Sequence, residues 1–168
     1  SISNFNTKSV NYMNGMFFRC AALTSLIINN FDTSNVINMA AMFRECLVIK
    51  SLDLSNFDTS KVIDIMDMFN RCESLVSLNL MSFNTSLIEK FNAEFYGCKS
   101  LEYLDLSSFK TPSSNSMNSM FTNCAKLKFL DLSSFDTSKV TDMYGMFNGC
   151  SSLISLNLNS FVTSEVVN

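Results

Sequence analysis

The chain has no His and no Trp, one Pro and only four Gly among its 168 residues. Without an imidazole, Ser-His and Cys-His nucleophiles, HExxH zinc sites and His-based pH switching are all excluded. Charge is scarce as well: 12 Lys and Arg stand against 15 Asp and Glu, a net charge of -3. A mildly acidic chain lacks the dense basic face that a phosphate backbone selects, so nucleic acid is not an expected partner. Long apolar runs are missing too. None approaches the roughly 20 residues that cross a bilayer, so no membrane insertion is expected within this chain. The opening SISNFNTKSV lacks the apolar heart of a signal peptide. Any export signal is therefore expected to have been removed or to lie outside the chain.

What is present is a repeat. Phe recurs at 5, 31, 57, 83, 109, 135 and 161, and Cys at 20, 46, 72, 98, 124 and 150, always 26 residues apart. Thr keeps the same step at 7, 33, 59, 85, 111, 137 and 163. A second Phe column holds 17, 43, 69, 95, 121 and 147, and Met fills columns 13/39/117/143 and 16/42/68/120/146. No insertion breaks the register. Residues 1–168 therefore read as one solenoid of about six and a half 26-residue repeats, with the character of a segment from a longer array.

Within a repeat the apolar period changes once. In LKFLDLSSF, Leu127 to Phe135, Leu130 and Leu132 alternate with Phe129 and Asp131, as on a half-buried strand. The polar Asp136-Thr137-Ser138 follows, with residue types that start helices. Val140, Met143, Met146, Phe147 and Cys150 then fall on one helical face. The fold class expected is α/β: a right-handed solenoid with one short parallel strand and one short helix per repeat.

The unit LKFLDLSSFDTSKVTDMYGMFNGC, Leu127 to Cys150, resembles a leucine-rich repeat, and more closely the 26-residue repeat of BspA-like bacterial surface proteins. The resemblance covers the whole chain. It implies an exported, surface-attached protein, extracellular or on the cell surface, acting in adhesion. It supplies no catalytic residues and no cofactor. Ordinary leucine-rich repeats place Asn or Cys where this repeat has Phe, so the corner is apolar here. The Thr two residues later is the expected replacement, its hydroxyl satisfying turn amides.

Six Cys in an exported chain suggest disulfides, but one Cys per repeat on successive helices, with axes some 8 to 10 Å apart, gives no converging pair. Buried free thiols are expected, and single-file Cys and Met do not make a metal site. Asn84-Thr85-Ser86 matches a glycosylation sequon, with the chance reading favoured because Thr85 is the repeat Thr. Glu94 and Ser114 replace core Met and Val, and Pro112 occupies a turn. The packing is expected to loosen there, or Glu94 to find a polar contact. An ionised, unpaired Glu94 in the core is ruled out by cost.

The candidate binding residues lie on the strand face. One exposed column reads Ser25, Ser51, Ser77, Tyr103, Phe129 and Ser155, so two adjacent aromatics stand where the repeat prefers Ser. Asp105 and Asp131 lie beside them, adjacent in a column that reads Ile27, Asp53, Asn79, Asp105, Asp131 and Asn157, with Glu102 and Lys128 near. Exposed aromatics bordered by polar groups are typical interface anchors; mutual stacking is the alternative. The two Asp are read as part of a solvated ladder, with a Ca²⁺ site as the other reading. Glycoside hydrolysis is discounted, because nothing on a flat sheet raises one carboxyl pKa. The expected function is a non-catalytic adhesion module binding a protein or glycan on a cell or matrix surface. The alternative is a structural spacer or filament element that associates end to end. If the strand face is not the site, the helix side around Leu47 and Val48 is the next candidate.

Overall fold

A computed structural model describes residues 5–168. The chain winds in coils that begin at each Phe of the first column: 5–30, 31–56, 57–82, 83–108, 109–134 and 135–160. Each coil stacks on the next through backbone hydrogen bonds between equivalent turn segments, as Ala41 to Met66, Asp67 to Asn92 and Ala93 to Asn118. Four three-residue strands form: β1 (Ser51–Asp53), β2 (Ser77–Asn79), β3 (Phe129–Asp131) and β4 (Ser155–Asn157). β1 pairs with β2 and β3 with β4, both parallel and in repeat register, Leu52 opposite Leu78 and Leu130 opposite Leu156. Alternation works as expected on this side: Leu52 and Leu130 are buried between exposed neighbours.

The helix expected in each repeat is not there. No helix occurs among the described residues. The segment from Met117 to Cys124 is instead a run of tight turns: Met120 donates to Met117, Thr122 to Ser119 and Cys124 to Phe121. The residues between them donate to the next coil, Met117 to Asp142, Ser119 to Tyr144, Phe121 to Met146 and Asn123 to Asn148. Every second amide is thus committed to the neighbouring coil and cannot close an i to i−4 bond. Two residues per coil adopt left-handed backbone to aim their amides this way. They include Ala41 (φ 54), Glu45 (φ 60), Ser119 (φ 56) and Asn123 (φ 61). The distance between coils also rules out a helix. Helix axes need about 8 to 10 Å between them, whereas Phe17, Phe43, Phe69, Phe95, Phe121 and Phe147 stack with centroids 5.6 to 5.8 Å apart. Three-residue turns space apolar side chains much as a helix does, which is why the pattern misleads.

Two side-chain columns complete the stack. Each repeat Thr from Thr7 to Thr137 donates its hydroxyl to a carbonyl 25 residues on and accepts that residue's amide. Thr59 does so with Asn84 at 3.0 and 2.8 Å, and Thr111 with Asp136 at 2.8 and 2.9 Å. The role expected of Thr is confirmed, and the same column explains why Thr85 is buried. All six Cys are free. Cys46, Cys72, Cys98, Cys124 and Cys150 each point Sγ at a Phe carbonyl of the preceding coil, at 3.1 to 3.2 Å. Burial pushes the Cys46 thiol up to about 11 and that of Cys98 far above its ordinary value. These are inert core groups.

Candidate functional site

The strand face carries the groove that gathers the residues singled out from sequence. Tyr103 and Phe129 face each other across a parallel bridge, 65% and 49% exposed. They hold these positions because the residues that follow them, Leu104 and Leu130, are buried, and alternation along the extended chain turns their neighbours outward. Neither ring belongs to a stacked pair; the stacks run along the Phe columns. The groove they border measures about 600 Å³.

Asp105 and Asp131 also line it. Each carboxylate caps its own turn: Asp105 Oδ1 accepts the Ser107 amide at 2.9 Å and Asp131 Oδ1 the Ser133 amide at 2.8 Å. The Ser107 amide and hydroxyl hold the Asp105 carboxyl below the usual carboxylate range. The Ser133 hydroxyl and amide, helped by the Asn157 side chain, do the same for Asp131. Both are ionised at neutral pH, and neither has the raised pKa of a general acid. Lys128 Nζ meets Glu102 Oε2 at 2.6 Å at the edge, and that contact lowers the Glu102 carboxyl. All six residues chosen from sequence thus fall on two adjacent coils, Glu102, Tyr103 and Asp105 on 83–108 and Lys128, Phe129 and Asp131 on 109–134. Sequence reasoning did not single out Ser107 and Ser133, which line the same groove with Asn157 of the Asp and Asn column. Their signal was the turn-capping Asp–x–Ser spacing beside the strand face.

Among the described residues no group of three or more Asp, Glu or Cys is placed to hold a metal ion. No helix of the described residues is long and apolar enough to cross a membrane. Around Leu47 and Val48 the chain is a turn following Cys46, with Val48 39% exposed.

Residues 1–79 and 72–168 both match a family described as Mycoplasma protein of unknown function, DUF285. The chain belongs to this family. No curated protein matches the chain. Among solved structures, a leucine-rich repeat protein from T. pallidum is 18% identical with a TM-score of 0.47, over 73% of this chain and 63% of that one. A leucine-rich repeat protein from Bacteroides ovatus is 19% identical with a TM-score of 0.37, over 78% of this chain and 43% of that one. A leucine-rich cell surface protein from Faecalibacterium prausnitzii is 12% identical with a TM-score of 0.26, over 92% and 71%. The chain spans less than two thirds of the first two. The DUF285 chain is a repeat protein whose LxxLxL segments stack in parallel where strands form, β1 on β2 and β3 on β4.

Proposed function

We propose that this DUF285 chain is a non-catalytic interaction module that presents its strand face to a protein or glycan on a cell or matrix surface. The observation that carries the reading is the outward pair Tyr103 and Phe129, side by side over the groove where the repeat otherwise places Ser. Aromatic rings supply contact area at low conformational cost, and the ionised Asp105 and Asp131 beside them supply acceptors for hydroxyl or ammonium groups. Leaving the interior untouched, such positions are free to be tuned to a partner. An extracellular or cell-surface setting accords with this role.

The test is the double substitution Tyr103→Ser and Phe129→Ser, which restores the repeat's own residue. Wild type and variant would be compared on a glycan array and in capture from extracellular-matrix extract. Specific wild-type binding that disappears in the variant, with an unchanged melting temperature, supports the reading. Binding that survives intact moves the site off the strand face. A wild type that binds nothing but forms fibres with rising concentration supports the spacer reading instead.

A further inference from the structure

Hydrogen bonding between coils is not uniform. One parallel bridge recurs where the turn segment begins: Tyr12 with Asn38, Asn38 with Asp64, Lys90 with Ser116, and Ser116 with Asp142. Among the described residues, Asp64 and Lys90 form no such bridge. Two backbone bonds fail at the same place. Met13, Met39, Phe91 and Met117 each donate to the next coil, but buried Ile65 does not reach Lys90. Ile37, Ile63, Asn115 and Thr141 each donate to the preceding coil, but Glu89 does not reach Ile63. On the strand side, β2 ends the first sheet and the next pairing is Tyr103 with Phe129. All these gaps fall between coil 57–82 and coil 83–108.

Glu94 lies in that seam. It occupies the column of Met42, Met68, Met120 and Met146, is 0% exposed, and neither carboxyl oxygen has a hydrogen-bond partner. The Met68 amide is spent on the Ile65 carbonyl at 2.9 Å. Asp64, Asp67 and Cys72 lie near Glu94 from the preceding coil and Cys98 from its own; the following coil brings Met120 to the column. Asp67 is itself paired with Arg44 at 2.7 Å, and among the described residues no cation contacts Glu94. The seam's rungs are stretched beside Glu94: Asp67 to Asn92 is 3.2 Å and Phe69 to Glu94 is 3.1 Å, against 2.8 to 2.9 Å for Ala41, Phe43, Ala93 and Phe95. Only Arg71 to Tyr96, at 2.6 Å, is tight. Burial raises the Glu94 acid well above its ordinary range, the nearby Met68 amide opposing it and the carboxylates of Asp67 and Asp64 adding to it.

We propose that the interface between coils 57–82 and 83–108 is a proton-controlled opening seam. With Glu94 protonated the coils stay closed; loss of that proton favours a state in which the seam parts and the carboxylate reaches water. The sign follows from linkage. The closed form binds one more proton than the open form at any pH between the ordinary Glu value, about 4.3, and the raised closed-state value. Opening therefore increases about tenfold per pH unit across that window.

Amide hydrogen exchange on the full chain, corrected for intrinsic exchange chemistry, tests this from pH 5 upward. Protection of Asp67 and Phe69 should fall about tenfold per pH unit. The equivalent amides of Ala41 and Phe43, across the coils 31–56 and 57–82, should hold constant. In Glu94→Met and in Glu94→Gln the pH dependence should vanish, and in Glu94→Met protection at the seam should rise. Wild-type protection at Asp67 and Phe69 that is flat with pH overturns the proposal, as does a slope that survives in either variant.

Discussion

The two sides of each coil differ in the opposite sense from their sequence patterns. The side that reads as a strand carries regular pairing only between β1 and β2 and between β3 and β4, plus the Tyr103 bridge. The side that reads as a helix carries cross-coil rungs at every coil pair, from Gly15 to Ala40 through Asn123 to Asn148. Continuity of the stack therefore rests on the turn side, where an unbroken Phe stack and left-handed residues place amides along the array. The strand side, less tied by backbone bonds, is where side chains vary without disturbing the interior. That division separates scaffold from presenting surface.

The strongest way to break the turn side is Phe69→Ala. This ring is fully buried between Phe43 and Phe95, and its loss should cost about 3 to 5 kcal/mol in urea unfolding. Thr59→Val keeps shape but removes the hydroxyl that serves both the amide and the carbonyl of Asn84. A loss of about 1 to 3 kcal/mol is expected, because both groups are left without that partner. If Thr59→Val were neutral, the Thr column would be packing alone.

Glu94→Met sharpens the comparison by repairing the one seam that departs from it. Removing an unpartnered buried acid should raise stability by about 1 to 3 kcal/mol at pH 7. Because the folded-state acid is raised, wild-type stability is greatest below the unfolded Glu value and falls as pH rises toward the folded one. The variant should lose that dependence in thermal melts between pH 4 and 7. Ala41→Gly acts at a left-handed position, φ 54; relief of strain against added chain entropy should leave a gain of about 0.5 kcal/mol. Smallest of all, Tyr103→Ser with Phe129→Ser should change stability by less than about 0.5 kcal/mol, as for exposed side chains elsewhere. A large loss there would show that the strand-face aromatics serve the fold.

The sequence by itself determined the register, the interior columns and which residues share the strand face. A step of 26 without insertion forces equivalent residues into line, so Phe, Met, Cys and Leu columns must meet, and outliers such as Tyr103, Phe129 and Glu94 stand out against them. It also determined that Asp105 and Asp131 would be neighbours. What only the tertiary structure decided was the backbone between Thr137 and Cys150 and its counterparts. Apolar spacings of three fit a helix and a chain of three-residue turns equally well. The choice falls to the turns because stacked Phe rings and neighbouring carbonyls claim alternate amides, a condition that exists only once a second coil is present. The seam at Glu94 was legible as a chemical mismatch with Met. Its looseness lies toward the coil before it, whereas Ser116, beside Ser114, keeps bridges to both neighbouring coils. The carboxylates that raise the Glu94 acid, Asp67 and Asp64, both belong to the coil on that looser side.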